Sequence, residues 1–287
     1  MTALTKPVFD QEFPQLQQIV LPAYNITYSK RIPLWLKLLG DSGRIKRIIR
    51  QEHELLKSIV SECLVDVVIS DNRFGLYHNT AYTVFITHQL SLKTPVFSGQ
   101  ANRVNRRYIN RFREVWVPDY ESDKICLSGE LAHHVKGIYP PLRYIGPQSR
   151  LVAEETEAEC LYDYLVLLSG PEPQRTILES LLIAKFQHGN RRVMLVRGTN
   201  ISREIPPTVT FIDFASPAQI SAFVKISAQV ICRSGYSTLM DMHHLGKKEL
   251  ILVPTHGQTE QEYLAKYWQE KFGARQMLQN NIQHFNL

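Results

Sequence analysis

The stretch AQVICRSGYSTLMDMHHLGKKELILVPTHGQTEQEYLAKYW, residues 228–268, decides the fold. It opens on an apolar run that ends in Arg233-Ser234-Gly235, and a helical segment follows at 236–245. A second apolar run at 249–254 leads into the loop His256-Gly257-Gln258, which opens a helix at 260–272. Short apolar runs alternating with helices are the pattern of a parallel sheet covered on both faces. In such sheets ligands lie at the carboxyl ends of the strands, so function is sought in the loops just after each run.

The same alternation continues upstream. YLVLLSG (164–170), RVMLVRG (192–198) and TVTFID (208–213) read as strands, with a helix over 173–186. Further back, QIVLPA (18–23), DVVIS (66–70), YTVFIT (82–87) and EVWVP (114–118) read as strands. Residues 33–60 read as a helix interrupted at Gly40-Asp41-Ser42-Gly43. The polar, acidic stretch PQSRLVAEETEAEC at 147–160 carries neither period and separates the two groups. The expectation is an α/β protein of two Rossmann-like domains, 1–150 and 151–287, with a cleft between them.

Composition narrows the class. The chain has 287 residues, 44% of them apolar and 21% charged, enough to bury a core without a metal or disulfide staple. The four cysteines, Cys63, Cys126, Cys160 and Cys232, are scattered, and no Cys/His group has zinc-ligand spacing. Reduced thiols and no metal ligands are expected. The His133-His134 pair likewise lacks metal spacing with any other ligand. The first residues, MTALTKPVFDQEFPQ, lack a secretory pattern, and no run reaches the roughly 18 apolar residues of a membrane span. A cytoplasmic protein is expected. The net charge of +6 is unevenly placed: residues 1–150 hold 20 basic and 13 acidic residues, residues 151–287 hold 13 and 14. The first half therefore looks toward an anionic partner.

Three loops of the second half have the composition of a phosphate site. Ser169-Gly170 ends one strand with Arg175 in the following helical turn. Arg233-Ser234-Gly235 ends another, with Ser237 and Thr238 on the emerging helix and Asp241 six residues past the glycine. Gln258, Glu260 and Gln261 lie at the mouth of the third. Helix N-termini offer free N–H donors and a partial positive charge, and glycine lets a phosphate approach the backbone. Each loop alone is also an ordinary cap. Three on one sheet favour a nucleoside diphosphate.

RSGYSTLMDMHHLGKKELILVPTHGQTEQEYLAKYW resembles the donor-binding region of family 28 glycosyltransferases. These are GT-B enzymes, among them the UDP-N-acetylglucosamine transferase that makes the lipid-linked peptidoglycan precursor. The likeness extends loosely through FIDFASPAQISAFVKISAQVICRSG and SGPEPQR, and the first half, with VVISDNRFGL, FITHQL and EVWVPD, resembles the acceptor-side domain. The resemblance implies transfer of a sugar from a UDP-sugar, without a cofactor or metal. No Asp-X-Asp pair is present to bridge a diphosphate through a metal. It implies that Arg233, Ser234, Gly235, Ser237 and Thr238 surround the diphosphate and sugar. Asp241, in place of the family's glutamate, would hold the ribose. Gln258, Glu260 and Gln261 would contact the donor sugar, Arg175 the nucleotide, and the 211–214 strand end with Phe214 the uracil. Family members usually open on an apolar strand and a Gly-rich, His-containing loop. Here the N-terminal domain is expected to be incomplete, lacking that first βα unit, and the C-terminal tail is expected to be short. With that loop absent, His88 and Asp71, each at a strand end, are the candidates for catalysis.

The basic segment KRIPLWLKLLGDSGRIKRIIR (30–50) reads either as an amphipathic helix on the sheet or as a peripheral contact with anionic lipid. The second would suit a lipid-linked acceptor at the inner membrane face. RVNRRYINRFR (103–113) has no nucleic-acid-binding signature, and nucleic acid is not expected as a partner. Two other functions fit the same architecture: a UDP-sugar 2-epimerase, and a non-catalytic remnant that binds nucleotide-sugar. No GxGxxG follows a strand, which disfavours a dehydrogenase.

Overall fold

The second half forms a six-stranded, all-parallel sheet whose inner strands are largely apolar on both faces. In this computed structural model residues 6, 10, 13–24, 42–153 and 158–285 are described. We number the described helices α1 to α6 and strands β1 to β10. The second sheet contains β5 (Tyr162–Leu167), β6 (Val193–Val196), β7 (Val209–Ile212), β8 (Ser227–Cys232), β9 (Leu250–Leu252) and β10 (Arg275–Gln276), in the order β10-β9-β8-β5-β6-β7. Leu165, Val230 and Leu252 face one layer of core, Val166, Ile231 and Ile251 the other. Helices α3 (Gln174–Phe186), α4 (Pro217–Lys225), α5 (Tyr236–His244) and α6 (Thr259–Phe272) supply the covering side chains. The start of α4 is legible in SPAQ: Ser216 and Gln219 cap one another reciprocally, and Pro217 occupies the first turn. Helix α6 stops at Gly273, whose φ of 75° is left-handed.

The first sheet is smaller. Strands β1 (Val67–Asp71), β2 (Tyr82–Ile86), β3 (Glu114–Val117) and β4 (Leu142–Tyr144) run parallel in that order. Helices α1 (Ser42–Glu62) and α2 (Ser98–Ile109) complete the described regular elements of this half, apart from one short 3₁₀ turn. Phe85, Ile109 and Val115 share one core cluster, and Leu56 and Val68 another. Val67 and Ile69 on β1 are about half exposed, whereas Val68 and Ser70 between them are buried. Strand β1 therefore alternates, where the strands of the second sheet do not.

Residues 18–23, expected as a strand, carry no regular structure. The chain there is held through its polar groups instead. Tyr24 donates to the buried carboxylate of Glu52 at 2.9 Å, and Arg73 donates to the Pro22 carbonyl. Of the segment 33–60, residues 42–60 lie in α1, and 33–41 lie outside the described residues. Ile48 and Ile49 on α1 are buried, while Arg44, Lys46, Arg47 and Arg50 are exposed.

The two sheets meet along the loop from Pro118 to His133. Leu127 and Leu131 of this loop join the core cluster of the second sheet. Trp268 donates to the Leu127 carbonyl at 3.0 Å, Tyr267 to the Cys126 carbonyl at 2.8 Å, and Tyr236 to the Pro118 carbonyl at 2.8 Å. Gly129 sits at the tightest point, with φ 54°. A Cβ there would overlap the Tyr263 hydroxyl and lie 2.9 Å from the Tyr267 ring. Gly129→Ala is expected to lower stability by about 1–3 kcal/mol. Calorimetry checks this, and an unchanged melting profile would show that the seam yields freely.

Candidate functional site

Because every strand in each sheet is parallel, each sheet has one carboxyl edge, and the contacts bring these two edges together. The loop after β2 supplies His88 and Gln89, and the first turn of α6 supplies Glu260. His88 Nε2 lies 2.9 Å from Glu260 Oε1, and Gln89 Nε2 donates to Glu260 Oε2. The His88 ring stacks on Tyr236 with centroids 4.1 Å apart and planes 16° from parallel. Tyr236 is itself buried and anchored by its hydroxyl to the Pro118 carbonyl. An ionised carboxylate only accepts hydrogen bonds, so the Nε2 facing Glu260 carries the proton. In the neutral ring Nδ1 then holds the lone pair. Asp71 stands exposed at the end of β1, outside this cluster.

The carboxyl edge of the second sheet gathers the loops singled out in the sequence. Ser169 and Gly170 are exposed after β5, and Phe214 projects after β7 with 61% of its surface open. Gly235 is the N-cap of α5, with exposed Ser237 and half-buried Thr238 in its first turn. Gln258 is the N-cap of α6, followed by Glu260 and Gln261. Asp241 is half-buried on α5 and accepts from the Ser149 hydroxyl at 2.6 Å. Burial raises its carboxyl above the ordinary aspartate range.

Three side chains expected at the ligand are turned inward. Arg233 is 2% exposed, and its guanidinium donates to the carbonyls of Val253, Pro254 and Gln174 and to Gln279 Oε1. Burial lowers it to about 10, which leaves it charged at neutral pH. Ser234 is fully buried and donates to the Gln261 carbonyl at 2.7 Å. Arg175 is buried as well, donating to the Arg197 carbonyl at 3.1 Å and paired with Glu172. These groups brace the loops from behind and do not line the cleft. The reason is topological: each follows a strand or opens a helix at a point where carbonyls of neighbouring loops converge. The amide of Thr255 likewise donates to Gln261 Oε1 at 2.8 Å, so the Gln261 side chain also ties two loops together.

Gly235 differs from Gly129. Its φ of −75° and ψ of 139° are ordinary for any residue, and a Cβ there would meet nothing within 4 Å. The fold itself makes no demand for glycine at this point, which leaves room over the α5 N-terminus.

Residues 165–287 match the profile of the glycosyltransferase family 28 C-terminal domain. The match takes in most of the second sheet and its helices, a little under half of the chain. The resemblance drawn from residues 233–268 thus holds at the level of the family. The fold agrees over nearly the whole chain, including the first sheet. CalG4, the calicheamicin glycosyltransferase, is similar with a TM-score of 0.59 and 12% identity, over 96% of this chain and 77% of that one. A UDP-glucosyltransferase from Polygonum tinctorium, capable of glucosylating indoxyl, is similar with a TM-score of 0.60 and 14% identity, over 94% and 74% of the two chains. Arabidopsis thaliana UGT89C1, solved with UDP-L-rhamnose, gives 0.56 and 10% over 99% and 80%. No curated protein sequence matches the chain. The architecture is therefore GT-B, with the family 28 match in its second half. No described helix is long and apolar enough to cross a membrane.

Sequence reasoning missed Tyr236, Gln89 and Asp119. Asp119 is fully buried and accepts from the backbone of Leu127 and Ser128 at 2.8 and 2.9 Å, organising the loop that joins the sheets. Only the prolines and glycines around these residues signalled a loop, and nothing local signalled a seam.

Proposed function

We propose that the chain transfers a sugar from a UDP-sugar to a hydroxyl-bearing acceptor in the cleft where the two carboxyl edges meet. The observation that carries this reading is the pairing of His88, from the acceptor-side sheet, with Glu260, from the donor-side sheet. A base and its orienting carboxylate are thereby joined at the cleft. His88 Nδ1 takes the acceptor proton as the hydroxyl oxygen attacks the anomeric carbon. Glu260 holds the ring in the tautomer this requires and stabilises the imidazolium that forms. The departing diphosphate is received at the α5 N-terminus over Gly235, with Ser237 and Thr238 as hydroxyl donors. Preorganised N–H groups and the helix dipole stabilise its charge, so no bridging metal is invoked. Asp241 faces the ribose, and Phe214 offers a ring to the base.

Isothermal titration with UDP, ADP and GDP tests the donor assignment. UDP binding is expected to be the tightest; equal or absent binding overturns it. Gly235→Val is expected to leave melting unchanged and to weaken UDP at least tenfold, on the order of 1.4 kcal/mol. Loss of folding, or full affinity in the variant, would remove the phosphate from this position.

A lipid-linked or otherwise anionic acceptor is supported by the charge of the first half and by the exposed Arg44, Lys46, Arg47 and Arg50 on α1. Residues 30–41 of the segment proposed to reach a membrane lie outside the described residues. Sedimentation with anionic vesicles should retain the protein and lose it when these four residues are made neutral. Equal sedimentation of the neutral variant would argue for an acceptor in solution.

A further inference from the structure

The loop between the two sheets brings together a thiol, an imidazole and a carboxylate that are separated in sequence. One ligand atom from each of Asp123, Cys126 and His133 lies within 4.8 Å of the others. We propose that these three residues form a divalent-cation site, of the class that prefers thiolate and imidazole, with zinc(II) the best fit. It is a clasp within the loop that joins the two halves of the chain and stands apart from the transfer site.

The donor set supports that class. Sulfur with nitrogen and one carboxylate oxygen is the chemistry of zinc and disfavours magnesium or calcium. The histidine is also held as a metal ligand needs to be held. His133 Nε2 lies 3.3 Å from the buried Asp119 carboxylate, which leaves Nδ1 facing Asp123 Oδ1 at 3.2 Å. A carboxylate on the far nitrogen of a ligating histidine fixes ring orientation and raises its basicity. Asp119 is in turn fixed by the amides of Tyr120, Leu127 and Ser128. Cys126 and His133 are 3% and 5% exposed, whereas the Asp123 side chain is more than half open, giving an entry path and room for a fourth, solvent ligand.

A resident cation occupies part of this field. Lys271 on α6 places its ammonium 3.6 Å from Cys126 Sγ, within reach of the Asp123 carbonyl and 2.9 Å from the Tyr267 hydroxyl. It sits on a flexible stem and is half-buried, so it can turn to solvent when a metal enters. The ammonium marks the site as electronegative and sets its affinity by competition. The metal would pin the Asp123–Cys126 turn to His133 beside the Tyr267 and Trp268 hydrogen bonds. Lys271 lies eleven residues beyond Glu260 on the same helix, about 16 Å at 1.5 Å per residue. The clasp thus takes no part in the transfer chemistry.

Cobalt(II) titration of the full, metal-stripped chain provides the test, in a background where the exposed Cys63 and Cys160 are serine. One equivalent should give tetrahedral ligand-field bands with a thiolate-to-cobalt charge-transfer band, both displaced by zinc(II). Zinc should also raise the melting temperature. Asp123→Asn, at an exposed position, is expected to weaken binding by about tenfold or more. Cys126→Ser should abolish the charge-transfer band, and Lys271→Met should tighten binding. Absence of a thiolate band in the parent chain overturns the proposal. So does a band that survives Asp123→Asn and Lys271→Met with unchanged affinity.

Discussion

Arg233→Ala is expected to unfold much of the second half of the chain while leaving any protein that stays folded able to bind UDP. The guanidinium is the hub of four acceptors: the Val253, Pro254 and Gln174 carbonyls and Gln279 Oε1, at 2.7 to 3.3 Å. Each buried acceptor left unpaired costs about 1–3 kcal/mol, and truncation also opens a cavity. A total loss of about 3 kcal/mol or more follows, even if one carbonyl finds water. Arg233→Lys should recover only part of it, because a point charge cannot reach acceptors on three separate segments at once. Chemical denaturation gives the stability, and UDP titration of the native fraction gives the affinity. Unchanged stability with lost affinity would mean that the guanidinium faces the ligand after all.

The second large effect is on turnover. His88→Gln keeps a donor within reach of Glu260 but removes the basic nitrogen, and should cut kcat by about 10²- to 10⁴-fold. UDP affinity and melting temperature should change little. Glu260→Gln, which keeps the shape of the side chain, should also slow turnover. It should shift the pH–rate profile as well, since the imidazolium loses its counter-charge. Initial rates with a UDP-sugar donor across pH read both effects. If His88→Gln retains full activity, the base lies elsewhere and the pairing with Glu260 is only a lock between the domains. A matched fall in stability for His88→Gln would point the same way, because the ring also stacks on Tyr236.

The Gly235→Val and Arg233→Ala experiments separate two roles within one tripeptide. Arg233 is occupied by protein carbonyls, whereas a Cβ at Gly235 would meet nothing within 4 Å. A fold that needs the arginine and tolerates a side chain at the glycine places the ligand on the backbone of the loop. The arginine then acts only by holding that backbone in position.

Much of the second half was legible residue by residue. Its inner strands are largely buried on both faces, so they appear as apolar runs, and loops containing Gly, Pro or Ser close several of them. In the first half DVVIS, YTVFIT and EVWVP announced β1 to β3, but the three-residue edge strand β4, LRY, is too short and polar to leave a pattern. QIVLPA at 18–23 has strand composition, yet no strand forms there, because its segment is tied to Glu52 and Arg73 by tertiary contacts that local propensity does not encode.

The roles of the site residues needed the fold. His88 and Glu260 are 172 positions apart, and only the facing carboxyl edges make them neighbours. Arg175 and Arg233 look like phosphate ligands by type and position. Whether a long side chain points out of a strand end or back beneath it depends on the carbonyls that surrounding loops present. Asp123, Cys126 and His133 have no metal spacing, and become a cluster only because Asp119 folds their loop back on itself. Sequence by itself determined the parallel α/β architecture, since burial on two faces and helix-opening loops leave periodic traces along the chain, and residues 233–268 carried the family resemblance. Tertiary structure alone decided which polar groups meet the cleft, because the direction of a side chain is set by partners that are distant in the chain.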